Sequence, residues 1–391
     1  MRSGFLGSLL ALVALGFLAC SNNTNSTNGS TAPGILYVVT QGNSSVSAFG
    51  INLGNGAIST NGNATATGAM PSAILLPGNA AFVSNSQDNT ISSYTLNTDG
   101  TLKAGNTTTL KSPGATPMGL AVDSGGKFLF VADQGSNTIS VFSISRGSLT
   151  EVAGSPFSTN DPNSPNIATG PVSVAVTPSA NFLYVAHQFT NTVGVFAVDS
   201  NGALTQSGAA FYPAGTSPSD LVLAPTPDGN FLYLYVANQG SNNVSAFAVC
   251  AKTSLACPAA DGSLKEVQGS PFPAGLAPIA IAGSFDNVGS YLFVADYNSN
   301  QVSEFRISTG TGVLAVNTQP TISTGANPTA IVVRAGSGAT LSDGGTTNYV
   351  YVANKTAGTV SAFSYDTKDG TLNVVGNALT TQGQPAALGV K

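Results

Sequence analysis

The sequence predicts an all-β fold, a seven-bladed β-propeller with four antiparallel strands per blade. Three observations predict it: one strand-loop-strand pattern recurs seven times in 391 residues, each copy carries signals for four strands, and a spare strand follows the last copy. Successive copies begin 45 to 58 residues apart, a spacing typical of propeller blades. The copies begin at Ile35, Ala80, Phe128, Phe182, Leu234, Tyr291 and Tyr349.

Each copy opens with a short apolar run such as "FLFVA" from Phe128, the composition of a strand covered on both faces. A polar loop leads to a second run, "TISVFSI" from Thr138. Dipeptides such as Asn201-Gly202 and Asp261-Gly262 follow, and they supply the positive φ values of tight hairpin turns. A weaker strand comes next, and the fourth begins at a proline, as in "PVSVAV" from Pro171. Four antiparallel strands per copy are the unit of a propeller blade.

The two ends of the repeat region predict how the ring closes. The first copy lacks a proline-led strand and opens on "ILYVV", whereas "PAALGV", Pro385 to Val390, stands alone after the seventh copy. If this last strand is the innermost strand of the first blade, no sheet edge is left exposed. We therefore expect the C-terminal strand to close the ring by pairing with the strand that begins at Ile35.

Composition excludes some classes of partner. Charged residues are only 7% of the chain, against about a quarter in ordinary globular proteins, and the net charge is −5. The 12 Lys and Arg residues are scattered singly, so no basic stripe could neutralise a phosphate backbone. We expect no nucleic-acid partner, and we expect a monomer.

The N-terminus has the pattern of an export signal, because Arg2 is followed by an apolar run that is too short for a typical membrane-spanning helix. It ends in "FLAC", which resembles the lipobox of bacterial lipoproteins and implies lipidation of Cys20. We predict a signal peptide over 1–19, a flexible lipid-anchored tether over 20–34 and the propeller over 35–391. The protein would then be membrane-anchored, facing the periplasm or the cell surface. Plain secretion after cleavage is the alternative.

Two further cysteines, Cys250 and Cys257, lie close together in "VCAKTSLACP". In an exported protein such a pair most simply forms a local disulfide. A metal site is less favoured because no third or fourth soft ligand lies near. We expect no metal and no cofactor.

The repeat phrase "LYVAN-x(4)-[NT]-[VI]-S-x-F", together with "GSLTEVAGSPF" from Gly147 and "GSLKEVQGSPF" from Gly262, resembles the YVTN-type propellers grouped with the bacterial lactonase family. That family includes the propeller form of 6-phosphogluconolactonase. The resemblance covers essentially residues 35 to 390. It implies the propeller fold strongly and lactone hydrolysis more weakly, because the motifs are strand and turn signals.

One position in each copy, the last residue of the "LYVAx" strand, is predicted to lie at the loop face around the central channel, where propellers usually bind ligands. Asn and Asp at a strand end can also simply bond to their own loop and cap the turn. We treat both interpretations as open. The predicted ligand-facing ring is Thr40, Asn85, Asp133, His187, Asn238, Asp296 and Asn354.

His187 is the only histidine in the chain. It is a candidate general base for water attacking a lactone carbonyl, with Asp220 or Asp133 to orient it. Outside the signal, the arginines are Arg146, Arg306 and Arg334, and none maps onto the predicted ring. A phosphosugar needs such cations, so we do not expect 6-phosphogluconolactonase activity itself.

Two functions remain. The first is a binding or interaction module at the cell envelope, whose amide- and hydroxyl-rich loops suit neutral glycans or partner proteins. The alternative is a hydrolase that opens an unphosphorylated lactone, with His187 as the base. Sparse charge favours the first, because acid-base hydrolysis needs positioned titratable groups.

Overall fold

A computed structural model describes residues 34–161, 164–252, 257, 259–285, 290–340 and 345–391. These residues form seven antiparallel sheets arranged as the blades of a propeller, which confirms the predicted fold. None of the described residues belongs to a helix long and apolar enough to cross a membrane. Cys20 and nearly all of the predicted signal and tether lie outside the described residues, since the first strand begins at Gly34.

Each blade has an inner, a second, a third and an outer strand, and we number the blades 1 to 7 from the first copy. The inner strands, for blades 1 to 7, are Pro385–Val390, Pro71–Leu75, Pro117–Val122, Pro171–Val176, Pro218–Pro225, Pro278–Phe285 and Pro328–Thr340. The second strands are Gly34–Thr40, Ala80–Asn85, Phe128–Asp133, Phe182–His187, Leu232–Asn238, Ser290–Asp296 and Thr346–Asn354.

The third strands are Ser45–Ile51, Thr90–Leu96, Thr138–Ser145, Thr192–Val198, Asn243–Val249, Gln301–Ile307 and Thr359–Asp366. The outer strand is continuous in blades 2, 4 and 6 and split in two elsewhere. For blades 1 to 7 its segments are Ile58–Thr60 with Thr65–Ala66, Leu102–Thr109, Ser148–Glu151 with Phe157–Ser158, Leu204–Pro213, Leu264–Glu266 with Phe272–Pro273, Leu314–Ser323, and Leu372–Val374 with Leu379–Thr380.

The second strands form the buried layer of the fold, because neighbouring blades cover both of their faces. Phe128–Asp133 and Phe182–His187 are buried along their whole length. Between blades 4 and 5, Tyr184 packs in one apolar cluster with Leu234 and Val236. Continuous burial explains why these segments are unbroken apolar runs instead of alternating ones.

Glycines in the turns after the third strands allow close packing between blades. Gly262 of blade 5 has a φ of 77°, and a Cβ there would overlap the ring of Phe182 in blade 4. The carbonyl of the same glycine accepts a 2.7 Å hydrogen bond from the hydroxyl of Tyr184. The Asp-Gly turn is therefore both a hairpin and a contact point for the preceding blade.

The ring closes as predicted. The C-terminal strand Pro385–Val390 pairs antiparallel with Gly34–Thr40, and Val38 lies opposite Leu388. The hydroxyl of Tyr351 in blade 7 also donates a 3.0 Å hydrogen bond to the carbonyl of Gly56 in blade 1. Residues from the two ends of the chain thus complete blade 1 and join it to blade 7.

Candidate functional site

The predicted ligand-facing ring is buried. Its seven side chains are between 0% and 2% exposed, so the prediction that they face a ligand is wrong. Each turns toward the start of the third strand of its own blade, where hydroxyl partners lie. The residues concerned are Thr40, Asn85, Asp133, His187, Asn238, Asp296 and Asn354.

Five of these side chains share one hydrogen-bonding arrangement with a serine seven positions further along. The amide of Asn85 donates to the hydroxyl of Ser92 at 3.0 Å, and Ser140 donates to the carboxylate of Asp133 at 2.6 Å. Asn238, Asp296 and Asn354 make the same bond with Ser245, Ser303 and Ser361. The ring position therefore joins the second strand to the third inside each blade.

Blade 4 departs from this arrangement, because the residue seven positions after His187 is Gly194, where the other copies have serine. The imidazole is completely buried and contacts Thr192 through Nδ1 at 3.3 Å. Burial lowers the pKa of His187 to about 3, because desolvation disfavours the imidazolium. A ring that is out of reach of solvent and uncharged at neutral pH is not placed to activate a water.

The predicted catalytic group of His187 with Asp220 or Asp133 is not formed. Asp133 bonds to Ser140 within blade 3, and Asp220 bonds to Ser173 of blade 4. Each of the three side chains has separate partners. Burial raises the pKa of Asp133 to about 7 and that of Asp296 to about 6, which reflects their place inside a blade and not a substrate site.

The residue after each ring position is partly exposed, and sequence reasoning missed this set by one position. We call these seven residues the mouth ring. Their backbone N–H groups donate to the carbonyl of the residue just before the inner strand, as Gln188 does to Gly170 at 2.9 Å. The mouth ring thus borders the channel on the upper face, where the inner strands begin. It comprises Gln41, Ser86, Gln134, Gln188, Gln239, Tyr297 and Lys355.

Side chains of the mouth ring reach from blade to blade. Gln134 donates to the side-chain oxygen of Gln188 at 2.8 Å, and Gln41 donates to the carbonyl of Pro71, the first residue of the next inner strand, at 3.2 Å. The ring is mostly uncharged amide, with Lys355 as its one cation. It therefore offers several N–H donors to a neutral oxygen acceptor such as a carbonyl.

Asp220 lies just below the mouth ring and is the only acid within the seven inner strands. The residue is half-buried, and its carboxylate accepts three hydrogen bonds: from Ser173 Oγ at 2.7 Å, from its neighbour Leu221 N at 2.9 Å, and from Ile281 N of blade 6 at 3.1 Å. Burial nevertheless raises the pKa of Asp220 to about 6. A carboxylate with a pKa near neutrality is suited to accept and return a proton.

The lower part of the channel, toward the ends of the inner strands, is apolar. A cavity of about 900 Å³ is bordered there by aliphatic residues of six inner strands, among them Leu75, Val222 and Ile281, and at the lower face by polar residues such as Asp123 and Arg146. Asp220 adjoins it, because its partner Ile281 lines the cavity. The polar mouth ring, the Asp220 carboxylate and the apolar cavity thus follow one another along the channel.

The arginines lie away from the mouth ring. Arg146 follows a third strand and borders the cavity at the lower face. Arg306 lies in the third strand of blade 6, and Arg334 lies beyond Val333 toward the lower end of its inner strand. Among the described residues, no group of three or more His, Cys, Asp or Glu side chains could hold a metal ion.

Cys250 and Cys257 form a disulfide in the structure, with Cα atoms 5.2 Å apart. The bond follows directly after the third strand of blade 5 and both cysteines are buried. It lies in the connection to the outer strand, away from the mouth ring. The disulfide therefore supports blade 5 and is not a part of the candidate site.

Comparisons with known proteins agree with this architecture. The family model described as "Lactonase, 7-bladed beta-propeller" matches residues 30–164 and 154–260. A candidate 6-phosphogluconolactonase from Bacteroides fragilis has a similar structure, with 21% identity, a TM-score of 0.71, and 93% of this chain and 100% of that chain covered. A periplasmic gluconolactonase from Pseudomonas aeruginosa is 20% identical, with a TM-score of 0.69 and coverage of 91% and 98%. The search of curated proteins gives no match.

Proposed function

This chain belongs to the lactonase family of seven-bladed β-propellers, and from that premise we propose that it hydrolyses a lactone in the upper part of its central channel. Asp220 is the general base, and amide groups of the mouth ring hold the reacting carbonyl oxygen. The observation that carries the proposal is the position of Asp220, the one acid of the inner strands, partly exposed beside the channel with its pKa raised to about 6.

The reaction needs one base and one set of donors. The Asp220 carboxylate takes a proton from water while the water oxygen bonds to the ring carbonyl carbon, and the C=O electron pair moves onto the oxygen. Side-chain amide N–H groups of the mouth ring, such as those of Gln188 and Gln239, stabilise that oxyanion. As the C=O bond re-forms, the ring C–O bond breaks, and the leaving alkoxide takes the proton from Asp220. The product is a hydroxy acid, and Asp220 is again a carboxylate.

The family match favours this hypothesis over the binding module that sparse charge suggested. Charge is sparse across the chain, but one positioned carboxylate and several neutral donors are enough for lactone hydrolysis. The uncharged character of the mouth ring also suits a neutral substrate. With Lys355 as its single cation, the mouth ring lacks the cluster of charges that a phosphate would need.

The test is a hydrolysis screen over unphosphorylated γ- and δ-lactones with wild type and Asp220→Asn. We expect Asp220→Asn to fold like wild type and to lose at least about 100-fold in kcat, the usual contribution of a general base. The matched control is His187→Asn combined with Gly194→Ser, which removes the only histidine without touching the mouth ring and should keep full activity. Full activity in Asp220→Asn, or its loss in the control, would refute this assignment of the base.

We further propose that the chain is exported and lipidated at Cys20, which would hold the propeller at an envelope membrane. The apolar run and the "FLAC" sequence support this proposal. Metabolic labelling with a radioactive fatty acid in a bacterial host tests it. Label that is incorporated by wild type and lost in Cys20→Ala supports lipidation, whereas an unlabelled, released wild-type protein supports plain secretion.

A further inference from the structure

We propose that the lower part of the channel binds an aliphatic chain, so that the preferred substrate is a lactone carrying an alkyl substituent. This inference rests on the proposed function and names the substrate class of the same site. The lactone ring lies at the level of Asp220 and the mouth ring, and its alkyl chain extends downward into the cavity.

The chemistry of the cavity walls is the first argument. The lining side chains contributed by the inner strands are almost entirely Ile, Leu, Val and Ala, as at Leu75, Ile281 and Val332. Hydroxyls of a sugar placed among them would leave water without side-chain partners, which is costly. Burying the methylene groups of an alkyl chain in the same place is favourable, because it removes apolar surface from water. The volume of about 900 Å³ falls within the range of small-molecule sites.

The position of the cavity relative to Asp220 is the second argument. Ile281 donates its backbone N–H to the Asp220 carboxylate at 3.1 Å and also lines the cavity. Val222 lines the cavity as well and follows Asp220 by two residues in the same strand, a distance of roughly 6–7 Å along a strand. A substituent on a lactone ring held at Asp220 would therefore enter the cavity within a few bonds.

Charge is the third argument. The inner strands carry no acid other than Asp220, and their one cation, Arg334, lies beyond Val333 near the lower end of blade 7. The charged residues that line the cavity, Asp123 and Arg146, follow the ends of their strands at the lower face, at the far end of the cavity from Asp220. No fixed charge stands between Asp220 and the aliphatic residues of the wall along Pro218–Pro225. The channel thus separates a polar reaction region from an apolar one, which is the pattern that an alkyl lactone presents.

The experiment compares δ-valerolactone, δ-octalactone, δ-decalactone and glucono-δ-lactone as substrates. We expect kcat/KM to rise about threefold to fourfold per buried methylene and to exceed that for glucono-δ-lactone. The variants Val332→Phe and Leu75→Phe fill the cavity from two different blades, 7 and 2, and should remove the chain-length dependence while δ-valerolactone is still hydrolysed. Val316→Phe makes the same change at an exposed outer-strand residue and should behave as wild type.

A parallel binding measurement separates this inference from the proposed function. Calorimetry with the matching alkyl δ-lactams, which resist hydrolysis, reports the cavity alone. Chain-length-dependent lactam binding that Val332→Phe or Leu75→Phe abolishes supports the cavity even if no lactone is turned over, a result that would refute only the hydrolase. Hydrolysis or binding that is indifferent to chain length, or a preference for glucono-δ-lactone, would overturn the inference.

Discussion

The imidazole of His187 occupies the space that a side chain at position 194 would fill. A Cβ added at Gly194 would lie 2.5 Å from His187 Cε1 and 3.1 Å from Nε2. In the six other copies the residue at this position is serine, and in five of them it bonds to an Asn or Asp at the ring position. Histidine and glycine in blade 4 are thus a paired replacement for that bond.

The paired replacement predicts strong coupling between the two positions. Gly194→Ser alone should destabilise the protein by about 1–3 kcal/mol through overpacking against the imidazole. His187→Asn alone should cost a similar amount, because it leaves a void and a buried amide without its serine partner. The double variant restores the pair found in the sibling blades and should unfold close to wild type.

Urea unfolding of all four proteins measures this coupling as a double-mutant cycle. We expect the double variant to be more stable than either single variant. Additive losses would show that the two residues act independently, and would contradict the paired replacement.

The buried carboxylates predict a pH dependence of stability. The pKa of Asp133 is raised from 3.8 to about 7 in the folded protein, so the folded state holds a proton that the unfolded state releases above pH 4 or so. Stability from this group is therefore greatest at acid pH and declines as pH rises from about 4 to about 7. Asp133→Asn, which installs the residue found in blades 2, 5 and 7, should raise the Tm at pH 8 and leave it little changed at pH 4.

Thermal unfolding between pH 4 and pH 8 checks this prediction, with an expected gain at pH 8 of about 2–5 °C. Asp199→Asn is a useful control, because Asp199 caps an exposed turn through backbone N–H groups. If Asp133→Asn changes the Tm by the same amount at pH 8 and at pH 4, Asp133 is not protonated in the folded state at neutral pH.

The pairing that closes the ring in blade 1 predicts that the stability of the protein depends strongly on the C-terminal strand. Deleting residues 385–391 removes the inner strand of blade 1 and exposes the edge of Gly34–Thr40, which leaves unpaired backbone groups and an aggregation-prone edge. The truncated chain should unfold at a much lower urea concentration or aggregate. Lys391→Ala, which changes only the side chain directly after that strand, should be tolerated. Truncated protein as stable as wild type would contradict closure by this strand.

The sequence repeat was sufficient to predict the fold, the closure of the ring and the tight turns, because the same strand and turn signals occur in each of the seven copies. It did not locate the site correctly. Asn85 and its equivalents end an apolar strand and read as a loop-facing position, but their side chains turn inward to hydroxyls of the third strand. The next residue, such as Gln134, borders the channel instead. One residue separates the two sets, and successive positions of an extended chain point to opposite sides.

The role of His187 could have been predicted from the copies themselves. Alignment shows glycine at position 194 only in the copy that carries histidine, which is the signal of a packing pair. Asp220 gave a weaker signal, since nothing in "PSDLVL" shows that its carboxylate reaches both Ser173 and Ile281. Those contacts depend on how three inner strands meet around the channel, which only the assembled ring defines.

The pH dependence of lactone hydrolysis by wild type and Asp220→Asn tests the central claim most directly. The pKa of Asp220 is raised to about 6, and a general base acts when it is deprotonated. After correction for spontaneous hydrolysis, kcat/KM of wild type should rise with pH, with an apparent pKa near 6, and level off above pH 7, whereas Asp220→Asn should be slower by at least about 100-fold and lack that rise. A wild-type profile that Asp220→Asn reproduces in both rate and pH dependence would contradict the claim.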